Sequence, residues 1–230
     1  MKNKLFFVLL IGLGIVLVSF LTFVSAMSNP GIAKNSMYLG YSGYVLFFDD
    51  FNNNSTAKWM PVNGNWYINN SKYIQDIIEG GGGHWKYTKA NFTGRAYNYE
   101  AEVSALTNIT VGGCSLSGYI PGEYDPHGTQ ITISLFPRTQ QVSLYITENG
   151  TTSEYIYYTP INLGQEYKLK TEIKNRQVSV FLDGIKIISD KPTNLTAGNF
   201  YLISDDTICQ FDNVKISSIV QLTPEQGIWD

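Results

Sequence analysis

A chain of 230 residues that is 14% aromatic, only 15% charged and formally −3 must cover its surface largely with Asn, Ser, Thr, Gly and Tyr. That length suits one medium-sized domain with a full core. The near-neutral balance provides no basic patch for nucleic acid and no polybasic segment for anionic lipid, so both are excluded as electrostatic partners.

The N-terminus reads as an export segment. Lys2 and Lys4 form a short positive flank, Leu5 to Val24 is apolar apart from Gly, Ser and Thr, and Val24-Ser25-Ala26 offers small residues for a signal peptidase. Residues 1–26 are therefore expected to be a signal peptide or, because the run is about long enough to span a bilayer, an uncleaved hydrophobic helix acting as an anchor. Either way the positive flank stays inside and the bulk of the chain lies outside the cell, secreted or held at its surface. Membrane contact is expected only through this segment. Residues 27–43 mix Gly, Asn, Ser and Pro without periodicity and read as a linker.

Two features fit an extracellular setting. Asn53, Asn54, Asn69, Asn91, Asn108, Asn149 and Asn194 each open an N-x-[ST] triplet, the acceptor pattern for N-glycosylation. Cys114 and Cys209 are the only cysteines and fit one disulfide in an oxidising compartment. Two separately buried thiols are the other arrangement open to them.

From Tyr44 onward the pattern is β throughout, because period-two alternation recurs and no sustained 3.6-residue apolar period appears. Val45 to Phe48, Asn65 to Ile68, Tyr73 to Ile77, Tyr97 to Ala105 and Gly113 to Tyr119 are the first candidate strands. Gly80 to Gly83 is a surface loop rather than a phosphate cradle, since no Lys-Ser/Thr follows it. Ile131, Ile133 and Leu135 alternate, as do Val142, Leu144 and Ile146, with Asn149-Gly150 turning the chain into Tyr155 to Tyr158. Tyr167, Leu169, Thr171 and Ile173 then face one way and Lys168, Lys170, Glu172 and Lys174 the other. Asn175-Arg176 and Asp183-Gly184 supply turns around Val178, Val180 and Leu182. Asn199 to Ser204 and Cys209 to Ser217 complete the set, and residues 220–230 form a peripheral tail. Many short strands with regular turns predict an all-β, two-sheet antiparallel jelly-roll sandwich over residues 44–219.

Specific blocks carry a resemblance. Leu46-Phe47-Phe48-Asp49-Asp50-Phe51 with Trp59 and Gly64-Asn65-Trp66, then Tyr99 to Val103, then Phe181-Leu182-Asp183-Gly184, and finally Phe211 to Ile216 resemble the strands of concanavalin A-like, laminin G-like jelly rolls. The opening strands are also similar to 3-keto-glycoside hydrolase-like jelly rolls. The superfamily implies the fold but spans lectins, carbohydrate-binding modules, glycosidases and adhesion domains. It further implies a structural calcium where first and last strands meet, which would fall to Asp212 with Asp50 beside it. Trp59 and Trp66 are expected to fill the core.

Glycosidases need two carboxylates roughly 5–10 Å apart across the scissile bond. Glu100-Ala101-Glu102 is the nearest match to the acidic strand of family 16 glycoside hydrolase-like jelly rolls, but it lacks the middle aspartate and distal glutamate. A solvated outer face is the plainer reading of Glu100 and Glu102. Glu123, Asp125 and His127 cluster in a turn-rich loop that could meet a polar ligand. The leading expectation is a non-catalytic glycan- or surface-binding module, with Trp85, Tyr87, Tyr119, Tyr124 and Tyr157 as candidate stacking platforms. A self-associating structural subunit of a glycosylated surface layer and a glycosidase-like enzyme are the alternatives.

Overall fold

A computed structural model describes residues 42–79, 84–107, 111–125 and 127–220. The expected export segment, most of the linker, the glycine loop, the Asn108 sequon and the tail at 221–230 lie outside these residues. Among the described residues no helix is long and apolar enough to cross a membrane.

The described chain is built of fifteen strands. They are β1 (Ser42–Asp49), β2 (Trp59–Pro61), β3 (Trp66–Asn69), β4 (Lys72–Gln75), β5 (Trp85–Arg95), β6 (Asn98–Ala105), β7 (Cys114–Ile120) and β8 (Gln130–Phe136). There follow β9 (Gln141–Glu148), β10 (Thr151–Tyr158), β11 (Tyr167–Lys174), β12 (Gln177–Leu182), β13 (Ile185–Pro192), β14 (Ala197–Asp205) and β15 (Cys209–Val220). One sheet runs β13-β12-β11-β6-β15-β4-β3, with β1 pairing the far half of β15; the other runs β10-β9-β8-β7-β14-β5-β2. All pairings are antiparallel. First and last strands lie side by side, Ser42 opposite Val220, as the resemblance implied.

The inward rows are the ones the alternation picked out. Tyr167, Leu169, Thr171 and Ile173 are buried on β11, while Leu116, Ile131, Ile133, Leu135, Val142 and Leu144 of the other sheet are almost wholly buried against them in one core. Each such aliphatic side chain contributes about 2 kcal/mol on leaving water. Turn chemistry sets the register: Asn149-Gly150 and Asp183-Gly184 both have positive φ at each position (53° and 74°, 49° and 81°), the geometry a two-residue hairpin turn needs.

Two aromatic groups complete the core. Phe51, Trp59, Tyr73, Trp66 and Phe211 form a chain of ring contacts 5.1–6.1 Å apart. Trp59 Nε1 donates to the buried Asp49 carboxylate at 2.9 Å, which keeps its one polar atom satisfied. At the other end Phe200 meets Tyr99 and Tyr119 edge-on, and Gly118 leaves room for it, since a Cβ there would lie 2.7 Å from the Phe200 ring.

Two strands escaped the sequence reading. β2 is only three residues long, and the inward residues of β5 are Lys86, Thr88 and Ala90. Its large residues, Trp85 and Tyr87, point to the other side, so no inward apolar alternation marks it.

Cys114 and Cys209 form a disulfide with Cα atoms 5.6 Å apart and a sequence separation of 95. It ties the start of β7 in one sheet to the start of β15 in the other. Closing a loop of that length restricts the unfolded chain by about 4 kcal/mol. The Cys114→Ala/Cys209→Ala protein should therefore unfold at clearly lower denaturant, by about 2–5 kcal/mol in stability, and intact protein denatured without reductant should show no labelled thiol.

Candidate functional site

The outward face of the β10-to-β2 sheet is unlike an ordinary solvated surface. Strand registers align Tyr87, Ile203, Ser115, Ser134, Ser143 and Ile156 in one row across it, and Lys89, Tyr201, Ser117, Thr132, Tyr145 and Glu154 in the next. Small hydroxylated residues occupy the middle and large ones the flanks, so the face is hollow. Its floor is held by its own hydrogen bonds: Ser115 Oγ donates to Ser134 Oγ at 2.7 Å, Ser117 Oγ donates to Gln130 Oε1 at 2.9 Å and lies 2.7 Å from Thr132 Oγ1. These hydroxyls are buried yet partnered, which keeps their desolvation affordable.

The loop after β7 closes one side. Asn199 Nδ2 donates to Gly122 O at 2.6 Å, Gly128 N donates to Asp125 O, and the Asp125 carboxylate accepts the His127 N–H at 2.9 Å. So pinned, the loop lays Tyr124 over Tyr87 and Tyr201, with centroids 4.5 and 5.4 Å away, and sets His127 edge-on to Trp85. The result is a cavity of about 310 Å³ with Trp85, Tyr124, His127, Phe136 and Tyr145 in its walls and Asp205 beside Trp85. That volume is at the small end of the roughly 300–1,000 Å³ typical of ligand pockets.

The phenols here stay neutral donors. Burial, reinforced by the Glu154 carboxylate, pushes Tyr145 up to about 12. Burial and then Glu123 push Tyr201 to about 12, and burial pushes Tyr124 higher still, helped by Tyr87 and Asp205.

Of the candidate platforms, Trp85 and Tyr124 line the cavity, and Tyr87 supports Tyr124 from beneath. Two others belong elsewhere. Tyr119 is 1% exposed and packs between the sheets against Phe200, so it serves the core. Tyr157 pairs with Val142, an inward residue, and therefore leaves β10 on the face opposite the cavity. Sequence reasoning missed Phe136, Tyr145, Asp205 and the hydroxyl floor. A signal existed: the outward positions of β7 and β8 carry Ser and Thr, where those of β11 carry Lys and Glu.

Glu100 and Glu102 lie on the other sheet, facing away from the core. Glu100 meets Lys168 at 3.7 Å and Lys215 at 3.4 Å, and Glu102 accepts Asn213 Nδ2 at 2.6 Å. They sit on the opposite layer from the cavity and cannot act on a ligand in it.

Each carboxylate of the expected calcium pair has partners within the chain. The Asp50 carboxylate accepts the Asn52 N–H at 3.2 Å in its own turn. Asp212 instead groups with Glu102 and Glu166, their ligand oxygens within 4.8 Å of one another. Lys72 pairs with Glu166 and lies 3.9 Å from Asp212. Burial raises the Asp212 carboxyl, and the Lys72 ammonium opposes that shift. Lys72 thus supplies cationic charge beside Asp212 and Glu166. Among the sequons, Asn53, Asn54, Asn69, Asn91, Asn149 and Asn194 are exposed.

No family model matches the chain. It is 25% identical over 195 residues to a levanase of Bacillus subtilis (strain 168), a match covering 83% of this chain but only 27% of that protein. Among solved structures it is similar to carbohydrate-binding module CBM66 from Bacillus subtilis, with TM-score 0.58 and 23% identity over 68% of this chain and 93% of that one. A Bacillus licheniformis β-glucanase superposes with TM-score 0.59 at 12% identity, over 75% and 97% of the two chains. The fold is the two-sheet antiparallel jelly roll that these solved structures share. Within it, the neighbours include a carbohydrate-binding module and a glucanase.

The tyrosines offer a direct check. Because Tyr145 and Tyr201 ionise near 12 in the folded protein and near the ordinary 10.0 unfolded, their contribution to stability is complete below pH 10 and is lost as pH rises through about 12. An alkaline absorbance titration should show a late phenol group ionising together with loss of the fold. Complete ionisation by pH 11 with the fold intact would contradict this placement.

Proposed function

We propose that this chain is a glycan-binding module that holds sugar in the hydroxyl-floored cavity without cleaving it. The observation that carries the reading is the combination of that floor with aromatic walls. Ring faces pack on the C–H faces of a pyranose or furanose, and serine, threonine, glutamine and neutral tyrosine exchange hydrogen bonds with its hydroxyls. The cavity's size suits a short stretch of sugar rather than a long chain. The levanase match and the carbohydrate-binding neighbour support the glycan class and make levan the first ligand to test.

Against catalysis stands the charge count. Asp205 is the one carboxylate among the described residues lining the cavity, whereas glycoside hydrolysis ordinarily uses two across the bond. Export by residues 1–26 and glycosylation at the exposed sequons belong to the same proposal, since an extracellular glycan binder needs the first and tolerates the second.

Calorimetry with levan oligosaccharides should show binding that falls at least tenfold in Trp85→Ala, the loss of one stacking surface, while Glu102→Gln on the opposite sheet binds like the parent. Release of reducing sugar from levan, abolished in Asp205→Asn, would replace this reading with an enzymatic one.

A further inference from the structure

We propose that the cavity selects among glycans by charge, accepting uncharged or amine-bearing sugars and rejecting sulfated or carboxylated ones, with Asp205 as the specificity-determining residue. This deepens the glycan reading and rests on it.

The described lining residues include Asp205 and no lysine or arginine. Asp205 is held at the end of β14, where its N–H donates to Gly113 O at 2.9 Å and its register partner is Trp85. Further acids surround the opening. Glu154 is the direct cross-strand partner of Tyr145, and Glu123 and Asp125 flank Tyr124 on the loop that closes the cavity. The two β5 lysines are paired with acids of their own: Lys89 Nζ lies 3.9 Å from Glu123 Oε1, and Lys86 Nζ lies 2.6 Å from Glu79 Oε1. Besides the Tyr124 and Tyr145 phenols, His127 is the remaining titratable side chain in the wall.

The field of Asp205 reaches both sides, since it helps hold the Tyr124 and Tyr145 phenols in their neutral form. An anionic sugar entering here would give up water and meet fixed negative charge in a half-enclosed, low-dielectric space. The floor offers little compensation, because the Ser115 and Ser117 hydroxyl protons are already donated to Ser134 and Gln130. An ammonium would be attracted both by the carboxylates and by the faces of Trp85, Tyr124 and Phe136. An uncharged sugar feels neither effect and binds by shape, stacking and hydrogen bonds.

Matched probes test this on the full chain by calorimetry at low and high salt. One pair is levan oligosaccharide and its chemically sulfated form; the other is chitooligosaccharide with its amines acetylated or free. Sulfation should weaken binding at least tenfold at low salt, and the gap should narrow with added salt and in Asp205→Asn. The free-amine form should bind at least as tightly as the acetylated one and lose that advantage in salt. Glu154→Gln, at the rim, should shift the same ratios in the same direction by a smaller factor, and it keeps the test open if Asp205→Asn fails to fold. Sulfated probe binding as tightly as neutral probe, or ratios unmoved by salt and by both variants, would overturn the charge inference and leave the glycan reading standing. Binding of none of the probes would overturn both.

Discussion

Everything functional in this fold depends on one register. In β7, β8 and β9 the residues Leu116, Ile133 and Leu144 oppose one another across neighbouring strands and face the core, so their alternate neighbours Ser115, Ser134 and Ser143 must oppose one another on the outside. The side-chain period of a strand is two, and a slip of one residue would exchange the two faces. Such a slip would bury serines in the core and expose leucines in the cavity. The apolar face thus fixes the polar one, although no ligand-facing residue takes part in setting it.

The same constraint explains how a sheet can be buried on both sides and still present a polar site. Ser115, Ser117, Thr132, Ser134 and Ser143 are all less than 10% exposed, a degree of burial that would be expensive for charged side chains. Short hydroxyls solve this because each can donate and accept within the floor, and their small size makes the hollow that the flanking aromatics surround. The opposite sheet takes the other solution. Its outer face carries long charged side chains: Glu100 pairs with Lys168 and Lys215, Lys170 pairs with Glu172, and Glu102 accepts from Asn213. The contrast between the two outer faces, rather than any single residue, distinguishes the layer that bears the cavity from the opposite one.

Much of the architecture was legible because the core writes itself into period two. The inward rows of β8, β9, β11 and β12 and the paired turns at Asn149-Gly150 and Asp183-Gly184 follow from residue types alone. The site was less legible for a related reason. Alternation identifies which residues face inward but treats the remainder as surface, and it cannot say that Ser115 and Ser134 meet, since 19 residues separate them. Trp85 and Tyr124 stand out in the sequence as aromatic residues beside turns, and both line the cavity. Tyr119 and Tyr157 stood out equally, yet one is claimed by Phe200 and the core and the other by the parity of β10. Asp205 was invisible, because a lone aspartate at a strand end looks like a turn residue until Trp85 is placed opposite.

The hydroxyl floor also explains how one fold can serve binders and hydrolases alike. Acid and base catalysis of glycoside cleavage asks for two carboxyl groups a short distance apart, facing the same hollow. Residues two apart on one strand lie about 7 Å from each other on one face, so Thr132 and Ser134 of β8 occupy positions from which a carboxylate pair could flank a sugar. This chain keeps hydroxyls there, which donate and accept hydrogen bonds but do not ionise near neutral pH as a general acid or base does. Its carboxylate pair at that spacing, Glu100 and Glu102, sits on the opposite sheet, where lysines and an asparagine hold it. On the proposed glycan-binding reading, the alternation that builds the core has put Glu100 and Glu102 on the sheet away from the cavity and left Asp205 as the carboxylate among its described lining residues.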